Sequence, residues 1–422
     1  MPVTRRATCP FCGLLCDDLT VESDGAALAL RDGACERSRA AFATLGHTMT
    51  AGVSPRVQGE DASAEAALDA AARVLARARR PFIGGLGTDV AGMRATLALA
   101  RRLGAVVDHA GAAAKYRNLH VLQEAGWITT TFAEVKNRAD LLVLIGDGWR
   151  HRFPRFVERL VAPGEGLFAD RRARRIILLD AAAGGAADAL PGDAEQLALA
   201  VPVAALPSIL AMLNALVDER PVDPARLSGV APEKLAQAID WLRAARYGVV
   251  AWAAADLDFA HAELALQALS RLVAALNRSG RFAALPLAGI DGDITANAVQ
   301  TWQGGVPYPA SYANGTIDFD PHRYGMPNLL GRGEADCILW ISSLARDRLP
   351  PATAVPTVVL GRADMALAHE PAVFLPVATP GIDAPGHLLR SDKVVSLRLP
   401  QLRDGALPSV ERAIEALLAR LA

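Results

Sequence analysis

A chain of 422 residues that is 52% hydrophobic, 21% charged and 5% aromatic carries enough apolar side chain for more than one core, at a length that fits about two to three domains. Lys and Arg number 44 against 45 Asp and Glu, a net charge of -1, so the basic surplus that draws a protein onto nucleic acid is missing. The N-terminal MPVTRRATCPFCG has no apolar run behind its arginines, and no later segment runs uninterrupted for the ~18 apolar residues of a membrane helix. A cytoplasmic protein is expected, with neither nucleic acid nor membrane as partner.

The first element is TCPFCGLLCDDLTVESDGAALALRDGAC, residues 8–35, which holds four of the five cysteines. A reducing compartment does not sustain structural disulfides, so clustered thiols there bind metal or do redox work. Cys9, Cys12 and Cys16 are spaced C-x2-C-x3-C, and Cys35 follows after eighteen intervening residues. Asp24-Gly25 is a hairpin turn signal between LTVES and AALAL, and Asp32-Gly33 makes a second turn that brings Cys35 back toward the first three. Iron-sulfur clusters take thiolates in this three-plus-one manner, whereas a zinc ribbon presents two C-x2-C knuckles, and the second knuckle is missing here. A [4Fe-4S] cluster on Cys9, Cys12, Cys16 and Cys35 is the expectation; zinc and an empty set of thiols are the alternatives.

Beyond residue 50 the texture changes. EDASAEAALDAAARVLARARR (60–80) has the period of an amphipathic helix, with Asp61 or Ser63 to cap it. Strands and helices then alternate: PFIGG, the helix VAGMRATLALARRLG ending at Gly104, AVVDH, LLVLIG (141–146) and RIILLD (175–180). A helix-rich connection (206–245) leads to a second such run, with YGVVAWAA (247–254), FAALPLA, CILWISS (337–343) and TVVLG (357–361). Strands of continuous β-branched residues and Leu, separated by helices, predict doubly wound parallel sheets covered on both faces. The expected fold class is α/β, with a small four-Cys hairpin subdomain over 1–52 and two tandem units over 53–245 and 246–422. The second unit includes the irregular segment 288–333, dense in Gly, Pro, Asn and aromatics, which reads as a functional loop or a binding surface. Within it WQGGVPYPASY offers Trp302 and Tyr308 as interface anchors, with interior packing as the other reading.

Several motifs tempt a catalytic reading. GGLGTD (84–89) lies between a strand and a helix, but Asp89 breaks the dinucleotide pattern, and a plain turn is the better reading. GDGW (146–149) is similar to the magnesium motif of thiamine-diphosphate enzymes, yet the Asn pair those need is absent from 173–178. RRARR (171–175) reads as a solvated ramp into a strand, with an anionic ligand or a partner surface as the other option. His109, His151, His322 and His387 show no metal-ligand spacing, and Cys337 heads an apolar strand as an interior thiol.

TCPFCGLLCDDLTVE, with the later AC and RSRAAF, resembles the N-terminus of the B subunit of formylmethanofuran dehydrogenase, of the molybdopterin oxidoreductase superfamily. LQEAGWITTTFAEVKNRADLLVLIGDGWRHRFPRF (122–156), TWQGGVPY, LLGRGEADCILWISS and FLPVATPGIDAPGHLLRSDKVVSLRL continue that resemblance through nearly all of the chain. The resemblance implies a redox subunit whose tungsten or molybdenum, held by a pterin, takes a Cys thiolate from the segment just before LQEAGW. This chain has DHAGAAAKYRNLHVLQEAG (108–126) there, and no cysteine between Cys35 and Cys337. Without the thiolate the metal loses its protein ligand, so a tungsten or molybdenum pterin is not expected and no catalytic residue is assigned. Among relatives of this kind, the formyltransferase/hydrolase complex of methylotrophic bacteria retains a B subunit alongside amidohydrolase-type A, C and formyltransferase D subunits. The resemblance thus implies a noncatalytic subunit in tetrahydromethanopterin- and methylofuran-linked C1 metabolism, from formaldehyde to formate. The alternative is the redox subunit of a tungsten or molybdenum formylmethanofuran dehydrogenase.

Overall fold

The structure, a computed structural model, describes residues 3–25, 27–47, 53–162, 164, 166–180, 190, 194–223 and 229–421. The chain forms two compact units: Met1–Ala112 with Gly289–Arg390 and Val395–Ala422, and Ala113–Ala288 with Ser391–Val394. The expected division at 245/246 does not coincide with them. The strand Pro81–Gly87 pairs in parallel with Cys337–Ser342, so a crossover between neighbouring strands contains the stretch Ala113–Ala288. The other expected boundary, at 52/53, adjoins residues 48–52, which lie outside the described residues.

The unit Ala113–Ala288 is built on five parallel strands. Their order is Glu195–Ala200, Arg175–Asp180, Leu141–Ile145, Tyr247–Ala253, Arg281–Leu287. The sheet grows one way from Leu141–Ile145 and then reverses to its other side, which is doubly wound topology. Leu141, Leu142, Val143, Leu144 and Ile145 are all buried, as a strand covered on both faces requires. On the helix Leu206–Val217 the buried Leu206, Ile209, Leu210 and Leu213 recur at helical spacing. Ala262–Leu276 does the same with Leu266, Leu269, Val273 and Leu276. Each such side chain contributes ~1.5–3 kcal/mol on burial.

In the other unit the described residues form a nine-stranded sheet, parallel in its middle and antiparallel at both edges. Its centre is Pro81–Gly87, Cys337–Ser342, Thr357–Arg362 and Val373–Val377. Gly84 and Gly85 make room for Trp340: a Cβ on either would stand 2.9–3.0 Å from the indole, and Trp340 Nε1 donates to Arg348 O at 2.9 Å. Ser63 caps Ala64–Arg77 through Ala66 N, and Asp89 caps Val90–Leu103 through Gly92 N, so GGLGTD is the plain strand-to-helix turn. Val90–Leu103 ends at Gly104 with φ 65°, the left-handed stop expected there.

The segment 288–333 is more regular than its composition predicts. It contains the helix Asp293–Gly304 and the short helices Pro321–Tyr324 and Met326–Gly331. Two strands, Ala310–Ser311 and Asp318–Phe319, lie at an edge of the large sheet. Among the described residues no helix is long and apolar enough to cross a membrane.

Candidate four-cysteine site and its neighbouring cavity

The four-cysteine region is folded by its turns. Leu19–Ser23 and Leu28–Asp32 pair antiparallel around Gly25, at φ 92°. At the return, Gly33 has φ 74°, and a Cβ there would lie 2.5 Å from Asp18 O. The first three thiols share one loop. Cys9 N donates to Cys16 O at 2.8 Å and Leu15 N to Cys12 O at 3.1 Å, which closes the loop on itself. Cys35 stands at the start of the helix Glu36–His47, where its Sγ accepts from Ser38 N at 3.5 Å. Arg37, close by on that helix, donates from Nε to Phe11 O at 2.6 Å and ties helix to loop. Phe11 meets Phe42 edge to face, with centroids 5.7 Å apart.

Cys9, Cys12 and Cys16 are buried and Cys35 is half-buried. Burial pushes the Cys9 thiol well above its ordinary value, and the nearby Cys12, Cys16 and Cys35 push it further. Cys12 is raised too, by burial first, with backbone donors and the Arg37 charge working against it. Four thiols therefore lie within electrostatic reach of one another. Among the described residues, however, no three His, Cys, Asp or Glu side chains are grouped to hold a single metal ion.

Beside this loop lies a cavity of about 290 Å³, whose lining includes Phe11, Arg37, Thr44, Asp291, Arg346 and Arg362. Asp291 stands on left-handed backbone, φ 56°, between Gly289 and Gly292, which are also left-handed. A non-glycine residue in that conformation is held by its surroundings. Arg348 Nε donates to Asp291 Oδ2 at 2.9 Å, and an Arg37 nitrogen lies 3.9 Å from Oδ1. Arg362 grips Asp364 with two bonds of 2.7–2.8 Å and reaches Thr44 Oγ1 at 3.1 Å. Sequence reasoning missed this arginine and aspartate set; only the glycines flanking Asp291 signalled it.

The segment that lacks the expected thiolate starts with packed polar residues. Asp108 accepts from His109 N and Met326 N, both at 2.8 Å. The His109 ring stacks on Tyr308 with centroids 5.7 Å apart, and Nδ1 accepts from Gly111 N at 2.9 Å. His109 is thus ordinary polar packing, as its sequence context predicted. Tyr308 is fully buried and donates to Asp293 O at 3.2 Å, so it is an interior residue and not the interface anchor proposed for it. Trp302, its expected companion, is 63% exposed. Cys337 is buried, and burial pushes its thiol up to about 12.

GDGW sits elsewhere, in the unit Ala113–Ala288, at the C-terminal end of Leu141–Ile145 where the strand order reverses. Open α/β sheets bind ligands at such a reversal. Here Asp256 fills the position: Gly148 N donates to its Oδ2 at 2.7 Å and Arg152 Nε to its Oδ1 at 3.1 Å. Burial raises the Asp256 carboxyl above its ordinary value, against those two donors. A carboxylate on the helix-start N–H takes the place an anionic ligand group would use.

No protein-family model matches the chain. The B subunit of tungsten-containing formylmethanofuran dehydrogenase 2 from Methanocaldococcus jannaschii is 25% identical over 97% of this chain and 96% of its own length. The Fhc B subunit of the formyltransferase/hydrolase complex from Methylorubrum extorquens is 29% identical over 79% of this chain and 87% of its own. Among solved structures, a chain of the Methylorubrum extorquens formyltransferase/hydrolase complex (FhcABCD) with methylofuran matches with a TM-score of 0.71 and 25% identity. That match covers 87% of this chain and 98% of that one. The chain is thus similar in sequence, over 79–97% of its length, to the B subunits of formylmethanofuran dehydrogenase and of the formyltransferase/hydrolase complex, and its mixed α/β fold with parallel sheets is similar to a chain of that complex.

Proposed function

We propose that this chain is the B subunit of a cytoplasmic formyltransferase/hydrolase complex in tetrahydromethanopterin- and methylofuran-linked C1 metabolism, structural and not catalytic, on a molybdopterin oxidoreductase-like fold. The observation that carries this reading is the absence of any cysteine between Cys35 and Cys337, where the redox relatives need a metal thiolate. The packing of Asp108, His109 and Tyr308, and the Asp256 carboxylate at the strand reversal, support it: both fill polar positions from within the chain. The partners are the amidohydrolase-type, C and formyltransferase subunits of that complex. The second reading, a tungsten or molybdenum redox subunit, is favoured by the match to the tungsten-containing relative over 97% of the chain.

The chemistry of the donor set fits a [4Fe-4S] cluster held by Cys9, Cys12, Cys16 and Cys35. Cys9 lies within electrostatic reach of the other three thiols, and soft thiolates in this three-plus-one spacing are the donor set such a cluster takes. Such a cluster would supply one-electron transfer. Around it the chain's own residues exclude water through Phe11 and Phe42 and place the Arg37 cation beside Cys12.

Metal analysis of the complex purified without oxygen tests both points. About four irons per chain with no tungsten or molybdenum is the expected result. Tungsten or molybdenum at unit stoichiometry, together with viologen reduction by formyl-methylofuran, would overturn the noncatalytic reading. Colourless protein without iron would overturn the cluster alone.

A further inference from the structure

The turn over residues 166–170 presents large apolar side chains to solvent on a rigid mount. Leu167 is 77% exposed and Phe168 61%. The backbone beneath them is fixed to the end of the helix Phe132–Arg138: Phe168 N and Ala169 N both donate to Asn137 O, at 3.0 and 3.1 Å, and Leu167 N to Asn137 Oδ1 at 3.4 Å. Gly166 is packed so closely that a Cβ would lie 2.4 Å from Ala169 O. The exposure is therefore built into the turn.

One cation lies on the aromatic ring, and others are its neighbours along the chain. The Arg138 guanidinium lies over the Phe168 ring, 4.0 Å from its centroid, and is paired at 2.7 Å with Glu134. Lys136 is exposed on the same helix end, and Arg171 and Arg172 follow the turn directly. Among the described residues of this face the opposing acids are Glu134, held by Arg138, and Asp170, whose side chain accepts from Arg172 N. An exposed apolar tip whose aromatic ring carries an arginine, with Lys136 and Arg172 exposed nearby in the chain, has the composition of a protein-protein anchor.

We propose that this face docks the chain onto a companion subunit, with Leu167 and Phe168 entering an apolar hollow whose rim is acidic and meets Lys136, Arg138, Arg171 and Arg172. The charge on this side commits the partner to carboxylates on the other, and the preformed turn reduces the ordering that association requires. The proposal rests on the subunit reading above and adds the surface through which it operates.

The test co-expresses the full chain with the subunits encoded next to it, as wild type and as Leu167→Ser/Phe168→Ser. Recovery of the companions is expected to fall by about tenfold or more in the variant, with circular dichroism and thermal midpoint unchanged. Wild-type recovery is expected to fall as salt rises from about 0.05 to about 0.5 M. A photo-crosslinking amino acid in place of Phe168 should link to one companion. A variant that keeps its companions at the wild-type ratio overturns this proposal and leaves the subunit reading intact, whereas a wild-type chain that holds no companion overturns both. If the serine variant does not fold, the crosslink decides, and its absence overturns the proposal. Binding of wild type to anionic phospholipid vesicles, lost in the variant, would replace the protein partner by a lipid surface and overturn it too.

Discussion

Arg174 is the residue whose role its neighbours hide most completely. Within RRARR the expectation of a solvated ramp suits Arg172, which is exposed, but Arg174 is buried. Its guanidinium donates at 2.8 Å to Ala139 O, Leu160 O and Val135 O, so it takes up carbonyls left open where Phe132–Arg138 and Val157–Val161 end. Burial first, and then the Arg171 charge, lower its pKa to about 10 against the opposing pull of the Asp140 carboxylate. Arg174→Met should therefore destabilise the fold by about 3 kcal/mol, read as a lower urea midpoint, because buried carbonyls lose their donors. Asp364 makes the opposite case. Burial would raise its carboxyl, but the hydrogen bonds and charge of Arg362 prevail and hold it below the ordinary 3.8. A lowered acid contributes stability that is present above 3.8 and is lost as pH falls through the folded value. Asp364→Ala, which leaves Arg362 buried and unpaired, should cost about 3 kcal/mol at neutral pH. The gap in thermal midpoint from wild type should close as the pH is taken below 3.8, and a gap that stays constant would refute this account.

The element that carries most information about function in the second unit is the short helix start at Gly148. Its N–H holds Asp256, and a Cβ there would stand 2.2 Å from Asp256 Oδ2. Gly148→Ala should cost about 1–3 kcal/mol by displacing that carboxylate. In a double-mutant cycle, Asp256→Ala should cost less in the Gly148→Ala background than alone, with a coupling of about 1 kcal/mol; strict additivity would mean that the two do not act together. The strand before this turn was plain in the sequence, since LLVLI has one reading once buried on both faces. The helix Asp293–Gly304 was not. DITANAVQTWQG mixes Thr, Asn and Gln into its buried stripe of Ile294, Thr295, Ala296, Val299 and Gln300, and it starts at the left-handed Gly292 without a side-chain cap. Val373–Val377 is a buried strand although it contains Pro376, a residue that disfavours a strand reading, and that residue pairs with Gly361 inside the sheet. The four cysteines were legible because ligand spacing is local. Asp291 with Arg348 was not, because their approach depends on the chain returning across 57 residues.

At the scale of the whole chain, the two units differ in how they depend on sequence continuity. All five strands of the parallel sheet lie within Ala113–Ala288, so one uninterrupted stretch supplies its core. Outside that stretch it uses Ser391, whose Oγ accepts from Ala288 N at 2.8 Å, and Asp392, whose Oδ2 accepts from Phe132 N at 3.0 Å. A hydrogen bond of this kind contributes about 1 kcal/mol, small beside a domain's margin of stability. The nine-stranded sheet has no such independence, because Pro81–Gly87 needs Cys337–Ser342 from the far side of the insertion. A fragment of residues 113–288 should therefore fold alone, with helical and strand dichroism and one cooperative urea transition. A fragment of residues 1–245, cut where chain order suggested a boundary, holds Pro81–Gly87 without Cys337–Ser342 and Leu141–Ile145 without Tyr247–Ala253, so both sheets lose a central partner. It should show no cooperative transition and should bind a dye that reports exposed apolar surface. The reverse result, a cooperative 1–245 beside an unfolded 113–288, would mean that the units are consecutive along the chain after all.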